Sequence, residues 1–456
     1  MNVTLINPNL NMNMKIGDKQ PPLGLAYIAA VLELKGHNVK IIDAEFENLS
    51  SNQIVQRLNP NTDVVGITGT TMVAHELLKI ASSIRQKYPS IFLVVGGPFF
   101  NALPKETMKT GVFNAGILGE AEFIFPELVN AFEKGIELKK VDSIVYITKG
   151  KLKFIGIPAV IKNIDTLPFP ARHLLPNLKF YKPKALYKSL PSTTIISSRG
   201  CPNKCIFCDN SISRKKVRMH SPERVVKEIE LLINKYGIKE LDFVDDNLTL
   251  SPERILRICR LIRDKNISIS WRCLARVDTI SKVLLKEMKK SGCWLIAYGI
   301  ESGNQNVLDY IQKGINLNQI KKAVKLTNEA GIASFAYFML GFPIDTKQTI
   351  DDTIKFALSL NLDYITFNKT VIYPGTKLYN TLLESGSFGK INWFENPPKY
   401  IYYHPNISSR ELEFKRRRAY LHFYLHPSYI FKKLFRVNSF TQLIKLNIQL
   451  IRHLYN

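Results

Sequence analysis

Three cysteines form a tight run at Cys201, Cys205 and Cys208. They follow an apolar, β-branched run at 193–198 and an Arg-Gly turn, so we expect them on a loop at the carboxyl end of a strand. Three close thiolates suit an iron–sulfur cluster, which normally takes four cysteine ligands. The missing fourth ligand would leave one iron open to a substrate, as in catalytic metal sites.

Two other uses of this run are less favoured. A zinc site would need a fourth Cys or His nearby, and His220, the nearest histidine downstream, has no ligand-like spacing. A disulfide cannot use all three thiols. The remaining cysteines, Cys259, Cys273 and Cys293, are scattered in apolar elements, and we expect them to be core thiols.

The composition bounds the class of protein. A chain of 456 residues is long enough for two or three domains, each with its own core. The net charge of +25 would suit nucleic acid, anionic lipid or a phosphorylated substrate, but Lys and Arg occur along the whole chain, so this evidence is weak. Met1 leads into an apolar run without a basic flank, no apolar run could span a bilayer, and the cysteine content fits a reducing compartment. We therefore expect a cytoplasmic protein.

Residues 1–135 alternate short apolar runs with helical stretches. The expected strands are 3–6, 39–42, 64–68, 92–95 and 116–118, and the expected helices lie near 23–35, 51–58, 73–87, 103–109 and 121–133. The alternation predicts an α/β domain with a doubly wound, Rossmann-like parallel sheet that binds ligands at the carboxyl ends of its strands. No GxGxxG follows the first strand, which disfavours a nicotinamide site.

Residues 191–385 resume the alternation. The expected strands are 194–198, 241–245, 268–273, 295–300, 334–340 and 364–372, with helices between them such as 222–236, 252–265 and 345–360. Ser221 and Ser251, each followed by Pro, are expected N-caps. Six βα units predict a partial (β/α)6 TIM-like barrel, whose functional groups lie at the carboxyl ends of the strands.

Polar residues and glycines occupy those ends. They are Asp245, Asp246 and Asn247 after the second strand, Arg276 after the third, Gly299, Glu301 and Ser302 at the fourth, and Gly341 after the fifth. Singly each is weak evidence, because Asp-Asp-Asn is common in solvated turns and helix caps, and Glu301 would also suit a buried ion pair. Their order at successive strand ends predicts one ligand site.

Two segments flank the second domain. We expect a linker over 136–190, centred on 167–172, where two prolines favour extended structure. We expect a small helical, basic tail over 386–456, with one basic helix at 410–424 and further amphipathic helices marked by apolar residues between 434 and 451. Such a tail caps the barrel with a solvated basic face, docks peripherally on an anionic membrane or, as a third option, binds nucleic acid, although no recognised module appears.

The run CxxxCxxC after a strand, with Phe207 just before its last cysteine, resembles the radical S-adenosylmethionine (SAM) superfamily. The resemblance implies that Cys201, Cys205 and Cys208 hold a [4Fe–4S] cluster whose fourth iron binds SAM. One electron then cleaves SAM to a 5′-deoxyadenosyl radical. It also implies that SAM is contacted by a set of residues at the strand ends, namely Phe207, Asp245, Asp246, Asn247, Arg276, Gly299, Glu301, Ser302 and Gly341.

The Ser-Ser-Arg-Gly-Cys-Pro sequence that leads into the cysteines resembles the cobalamin-binding branch of that superfamily, and the loops of the first domain agree with it. The resemblance implies cobalamin contacts at the strand ends of that domain, namely Pro8, Leu23, Gly24, Thr70, Thr71, Gly96, Gly97, Pro98, Gly119, Glu120 and Glu122. The DxHxxG motif of other cobalamin domains is absent. Its absence is usual in this branch, but a domain that had lost cobalamin would lack the motif too.

The resemblance implies a radical SAM enzyme, and its commonest chemistry in this branch is methylation of an unactivated carbon. Radical cyclisation, ring rearrangement or C–C coupling of a lipid, isoprenoid or natural-product precursor is the alternative. A non-catalytic cluster-bearing sensor is the third hypothesis. The expected partners are a small-molecule or lipid-like substrate and a reducing electron donor such as flavodoxin or ferredoxin. Nucleic acid is disfavoured because no RNA-binding module is recognisable. No residue is assigned a catalytic role.

Overall fold

The computed structural model describes residues 1–10, 19–181, 183, 186–209, 211–212, 216–387, 391–395, 404, 406–427 and 429. The chain forms two compact units. The first comprises Met1–Pro202, Phe207–Glu240 and Ile372–Ile401, and the second comprises Asn203–Ile206, Leu241–Val371 and Tyr402–Asn456.

The amino-terminal part of the chain is built on a seven-stranded sheet. Its strands are β1 Asn2–Asn7, β2 Asn38–Asp43, β3 Val64–Thr68, β4 Phe92–Gly96, β5 Ala115–Ile117, β6 Ile144–Thr148 and β7 Lys151–Ile155. Its helices are α1 Leu23–Leu34, α2 Ala44–Glu47, α3 Ser51–Arg57, α4 Ala74–Lys87, α5 Gly97–Ala102, α6 Pro104–Met108 and α7 Ile124–Glu133. The strand order is β2-β1-β3-β4-β5-β6-β7, parallel from β2 to β5.

The central strands are apolar because both faces of the sheet are covered. Val65 and Leu93 are fully buried and belong to one core cluster with helix residues such as Leu77 and Ile84. Near-continuous apolar strands are the mark of a parallel sheet flanked by helices. The five strands expected from the sequence are present, and β5 lies one residue earlier than expected.

A β-hairpin lies in the segment expected to be a linker. Strands β6 and β7 pair antiparallel and extend the first sheet beyond residue 135. The two residues between them, Lys149 and Gly150, both have positive φ, as a type I′ turn requires. Lys-Gly is a weaker hairpin signal than Asn-Gly, which is why the sequence pattern missed this hairpin.

The rest of the chain carries eight further strands and eight further helices in the described residues. The strands are β8 Ser192–Ile195, β9 Ser198–Arg199, β10 Arg218–Met219, β11 Glu240–Phe243, β12 Ser270–Ala275, β13 Cys293–Glu301, β14 Ala333–Leu340 and β15 Tyr364–Lys369. The helices are α8 Pro222–Tyr236, α9 Pro252–Asp264, α10 Lys282–Lys290, α11 Gln305–Tyr310, α12 Leu317–Glu329, α13 Lys347–Ser359, α14 Lys377–Glu384 and α15 Ser409–Tyr424. Six of these strands form a second sheet in the order β15-β14-β13-β12-β11-β8.

The six strands expected for the barrel are therefore confirmed, in their sequence order. The two expected N-caps differ. The Ser221 hydroxyl accepts a hydrogen bond from the Arg224 amide, whereas Ser251 occupies the N-cap position of α9 without a side-chain capping bond. In the described part of the chain, no helix is long and apolar enough to cross a membrane.

Helix α15 covers the edge strand β15 of the second unit. The Tyr420 hydroxyl accepts a hydrogen bond from the Phe367 amide at 2.8 Å, and the Tyr424 hydroxyl donates to the Ile365 carbonyl at 3.4 Å. Lys415 and Asp351 form an ion pair beside this contact. An uncovered edge strand would expose unpaired backbone groups, so the helix has a clear packing role. The amphipathic segment expected over 434–451 lies outside the described residues.

A buried ion pair fastens the predicted linker to the rest of the first unit. The Arg172 guanidinium donates to Glu228 Oε1 and to the Thr194 carbonyl, both at 2.9 Å. The two side chains are only 1% and 3% exposed. Because charges buried this deeply depend on their partner, the pair holds residue 172 against both α8 and β8.

We expect Arg172→Met to lower the free energy of unfolding of the first unit by about 3–5 kcal/mol, because it leaves the Glu228 carboxylate buried without its cation. Urea titration would measure the loss. The double variant Arg172→Met/Glu228→Leu removes both charges and should recover most of it. A double variant as unstable as the single one would contradict this explanation.

Candidate active site

The cysteine loop begins at a short two-stranded ribbon. Strand β9 pairs antiparallel with β10, so Arg199 lies opposite Arg218 and the cysteines occupy the connection between the strands. Gly200 has a φ of +88°, which favours glycine at the turn before Cys201. In the second unit, the Ile206 amide donates to the Ile311 carbonyl at 3.0 Å and anchors the middle of the loop.

The three thiols of this loop differ from the other cysteines in exposure. Cys201 and Cys205 are half-buried and Cys208 is exposed, while the other cysteines are buried, and none of the six forms a disulfide. Burial raises the pKa of the Cys259 thiol to about 11, and the pKa of Cys273 is raised by a hydrogen bond with Cys293 and by burial. Accessible thiols ionise and bind metals more readily than buried ones, so the loop provides the suitable donors.

The fit to a cluster depends on this donor chemistry. Within the described residues, no group of three or more His, Cys, Asp and Glu side chains surrounds a point that could hold a single metal ion. In a [4Fe–4S] cluster each cysteine binds a different iron, so the three thiols need not converge on one point. The expected core role of Cys259, Cys273 and Cys293 agrees with their burial.

In the second unit, the loop after β11 holds a buried amide. Asn247 Oδ1 accepts from the Thr249 hydroxyl at 3.2 Å and from the Arg276 amide at 3.3 Å. The Asn247 Nδ2 atom is buried and has no acceptor among the residues that the structure describes. Buried donors are almost always paired, so this atom suits an acceptor on a bound molecule. Asp245 is buried beside it in sequence, and Asp246 is exposed.

Arg276 is held in place by its neighbours. Its guanidinium donates to Asp278 Oδ1 and Oδ2 at 2.9 and 2.8 Å and to the Lys313 carbonyl at 3.0 Å. The side chain is therefore a fixed cation, and it lies at the end of β12, the strand end where the sequence placed it; Asp278 already neutralises part of its charge.

Glu301 forms a buried ion pair, which is the alternative that the sequence left open for this residue, and its partner is Lys313. Its Oε1 atom lies 2.8 Å from Lys313 Nζ, and the two side chains are 10% and 9% exposed. A Cβ on Gly299 would lie 2.5 Å from that oxygen, so glycine is needed to make room for the pair. Glu301 itself has a φ of +68° at a bulge in β13, a strained conformation of the kind that clusters at functional sites.

Ser302 and Gly303 have structural partners. The Ser302 hydroxyl lies 2.9 Å from the Thr353 hydroxyl, and it accepts from the Asn304 amide at 3.1 Å. A Cβ on Gly303 would lie 2.5 Å from Phe356 Cβ. These contacts join the end of β13 to α13 and shape the loop.

Asp345 organises the loop after β14. Its Oδ2 atom accepts from the backbone amides of Gly341 and Phe342 at 2.9 and 2.8 Å, and its Oδ1 atom accepts from Thr349 at 2.7 Å. Burial raises the pKa of this carboxyl group, and the three hydrogen bonds oppose that effect. Gly341 has a φ of +91°, and a Cβ there would lie 2.9 Å from Leu412 of α15.

The strand ends of the first sheet carry the residues predicted to contact cobalamin. A Cβ on Gly24 or Gly96 would meet no atom of the described residues within 4 Å, apart from its chain neighbours and the backbone of its own helix, so both glycines border open space among those residues. Pro98 and Thr70 are exposed, whereas Pro8, Leu23 and Thr71 are buried. Gly97 has a φ of +85°, and a Cβ there would lie 2.2 Å from the Thr68 hydroxyl.

Gly119, Glu120 and Glu122 have partners within the first unit. A Cβ on Gly119 would overlap the Ala159 carbonyl oxygen at 2.2 Å. Glu120 Oε1 lies 3.1 Å from Arg199 Nη1, and Glu122 Oε1 lies 2.7 Å from Arg199 Nη2. Their predicted contact with cobalamin stays a prediction, but the carboxylates are engaged by arginine.

Two parts of the chain match known domains. Residues 12–129 match the B12 binding domain, and residues 195–357 match the Radical SAM superfamily. Over 452 residues the chain is 35% identical to the uncharacterized methyltransferase PH0819 of Pyrococcus horikoshii, covering 96% of each protein. That identity along nearly the whole length decides the family. The chain belongs to the cobalamin-binding branch of the radical SAM enzymes.

Two further similarities place this radical SAM enzyme among its relatives. It is 26% identical over 407 residues to the anaerobic magnesium-protoporphyrin IX monomethyl ester cyclase of Rubrivivax gelatinosus, covering 86% of this chain and 72% of the cyclase. Its fold resembles the cobalamin-dependent S-adenosylmethionine radical enzyme OxsB, solved with aqua-cobalamin and S-adenosylmethionine bound. The TM-score is 0.78 at 18% identity, over 100% of this chain and 71% of OxsB.

The predicted family, α/β fold and enzyme class are therefore confirmed, and the predicted cofactor set is confirmed at the level of the family. Three groups in this radical SAM enzyme were missed by the sequence: Lys313, Asp345, and a buried cluster in which Tyr181 donates to Asp43 Oδ2 at 2.6 Å. Asp43 ends β2, so its position after an apolar run was the available signal. Nothing in the local sequence marks Lys313 or Tyr181.

We expect Gly341→Ala to lower the free energy of unfolding of the second unit by about 2–4 kcal/mol, because it adds a Cβ at positive φ and pushes it against Leu412. Gly331→Ala is the matched control. It also has positive φ, at +68°, but its nearest atoms are the flexible end of Lys289 at 3.7 Å. That variant should lose only about 1 kcal/mol. Urea titration of both variants would measure their free energies of unfolding. Equal losses in the two variants would contradict the steric explanation.

Proposed function

We propose that this radical SAM enzyme uses SAM and cobalamin to methylate an unactivated carbon of a small molecule. The observation that carries the proposal is a three-cysteine loop with accessible thiols in a chain that also has a B12 binding domain. The full-length similarity to a methyltransferase supports the same conclusion. An unactivated C–H bond has no acidic proton for a general base, so cofactors must supply the difficult chemistry.

Cys201, Cys205 and Cys208 would hold the cluster, and the loops around Gly24, Thr70 and Gly96 would hold cobalamin. When bound, the cluster supplies the electron that cleaves SAM, and cobalamin carries the methyl group. The residues of this chain would bind the cofactors and the substrate and orient them relative to one another. Gly24 and Gly96 leave space for a bulky group because no Cβ intervenes.

The loops of the second unit would bind SAM. The buried Asn247 Nδ2 atom has a proton to donate, which suits an acceptor such as the SAM carboxylate. Arg276 provides a fixed cation for the same group or for a ribose hydroxyl, because Asp278 holds its guanidinium. Asp345 holds the amides of Gly341 and Phe342, which keeps that loop in one conformation for close approach by the adenine.

Radical cyclisation is the second candidate, and the similarity to a cyclase supports it. The two activities use the same cofactors and differ in what happens to the substrate. A flavodoxin or ferredoxin would supply the electron in either case. Peripheral membrane contact stays a prediction: the apolar face of α15 is buried against β15, so such contact would come from residues 434–451.

We expect the anaerobically purified protein, with its cluster reconstituted and cobalamin bound, to form 5′-deoxyadenosine from SAM when reductant is added. Methyl transfer would also yield S-adenosylhomocysteine, and mass spectrometry measures both products. 5′-Deoxyadenosine without S-adenosylhomocysteine in the presence of turned-over substrate would favour cyclisation. The absence of both products would contradict both candidate functions.

Two cysteine variants control this experiment. Cys208→Ala should abolish 5′-deoxyadenosine and lower the iron content, because it removes a proposed cluster ligand at an exposed position. Cys259→Ala removes a buried thiol and should retain both. If the two variants had the same iron content and formed the same amount of 5′-deoxyadenosine, the assignment of the cysteine loop as the cluster site would be contradicted.

We expect Asn247→Asp to weaken SAM binding by about 10- to 100-fold, because it replaces the only unpaired donor of this side chain by an oxygen while keeping the acceptor used by Thr249 and Arg276. Titration of SAM into the cluster-loaded protein would measure the affinity. Asn266→Asp makes the same change at an exposed position of the second unit that is not among the predicted SAM contacts, and it is the control for the added negative charge. Unchanged affinity in Asn247→Asp would remove this residue from the site.

A further inference from the structure

A hydrogen-bonded path connects two loops of the first sheet. Asn101 Nδ2 donates to the Gly97 carbonyl at 3.0 Å, and Asn101 Oδ1 accepts from the Gly119 amide at 2.7 Å. Gly97 follows β4 and Gly119 follows β5. One amide side chain therefore holds the carboxyl ends of neighbouring strands in a defined arrangement.

Glu120 continues the path from Gly119. Its Oε2 atom accepts from the Ile161 amide at 2.6 Å and from Arg218 Nη1, and its Oε1 atom accepts from Arg199 Nη1 at 3.1 Å. The other nitrogen of the Arg199 fork, Nη2, pairs with Glu122 at 2.7 Å. The Arg199 guanidinium is thus held by two carboxylates, and the Arg218 guanidinium contacts one of these, that of Glu120.

The two arginines belong to the ribbon that carries the cysteine loop. Arg199 and Arg218 are opposite each other in the β9–β10 pair, and Arg199 precedes Cys201 by a single glycine. The side chains of Glu120, Glu122 and Arg218 are 4%, 6% and 7% exposed, and that of Arg199 is 15% exposed. A charge buried to this degree cannot lose its partner unless the surrounding side chains rearrange. A displacement of the Glu120 carboxylate therefore displaces the Arg199 side chain as well.

We propose that Glu120 is a positioning residue that couples the loops after β4 and β5 to the turn before Cys201. Binding of a ligand at the loops then raises the affinity of the cysteines for their ligand, and the reverse also holds. The reason is that both binding events stabilise the same arrangement of the Glu120–Arg199–Arg218 cluster. This inference rests on the proposed function for the identity of the two ligands, cobalamin and the iron–sulfur cluster. The coupling itself is a property of the chain.

Amide hydrogen exchange on the full chain without cofactors tests the coupling directly. Glu120→Gln should speed exchange at least fivefold in two separate segments, 96–101 and 198–205, because the path between them is cut. Glu228→Gln is the matched control: it weakens another buried carboxylate–arginine pair, with Arg172, and within the described residues neither of these two side chains is hydrogen-bonded to Asn101, Gly119 or Glu120. It should leave segment 96–101 unchanged.

Arg199→Lys separates charge from geometry. A lysine keeps the positive charge but cannot bridge Glu120 and Glu122 with a rigid fork. It should therefore speed exchange in segment 96–101, although by less than Glu120→Gln does. Exchange that rises only in segment 198–205, or that rises equally in Glu228→Gln, would overturn the proposal.

Binding of hydroxocobalamin gives a second readout. In the wild-type protein, the dissociation constant should be at least fivefold lower with the cluster reconstituted than after its removal by a chelator, and in Glu120→Gln this ratio should fall to about one. An equal ratio in the two proteins would overturn the coupling. Failure of the wild-type protein to bind hydroxocobalamin would contradict the proposed function instead, and hydrogen exchange would still decide the inference.

Discussion

Buried arginine–carboxylate pairs hold together segments of the first unit that lie far apart in the sequence. Arg172 pairs with Glu228, and Arg199 and Arg218 pair with Glu120. Each guanidinium presents several donors in a fixed plane, so a single side chain fastens two or three segments at once. The position of the ribbon β9–β10 and of the turn before Cys201 depends on these pairs, because the ribbon is too short to stabilise itself.

In the second unit, the loops at the strand ends are positioned largely by backbone hydrogen bonds and by glycines. Charged side chains hold two of its strand ends: Asp345 holds the loop after β14, and Lys313 pairs with Glu301 at the end of β13. Gly299 and Gly341 occur where a Cβ would collide with a neighbouring side chain. Several of the residues that resemble ligand contacts are thus also structural, and Asn247 stands apart because one of its donors has no acceptor among the described residues.

The two kinds of support have different consequences for function. A buried ion pair is sensitive to any change in its partners, so it transmits a displacement, whereas a turn held by glycine and several hydrogen bonds resists displacement. Both kinds of support occur in the chain: Glu120–Arg199 and Glu301–Lys313 are buried ion pairs, whereas hydrogen bonds to Asp345 hold the loop after β14. Preorganised donors lose less on binding than mobile ones.

The sequence alone determined the α/β alternation of the two domains, the cysteine loop and the family, because apolar periodicity and a tight cysteine run are local patterns. It did not determine the β6–β7 hairpin, which lies in the segment expected to be a linker. It also placed polar residues at the strand ends, since the carboxyl ends of parallel strands gather on one edge. Only the tertiary structure decided what each of those residues contacts. Glu301 meets Lys313, and Glu120 meets Arg199 across a sequence separation of 79 residues. Partners of a buried charge are chosen by packing between distant segments, and no local spacing encodes that choice.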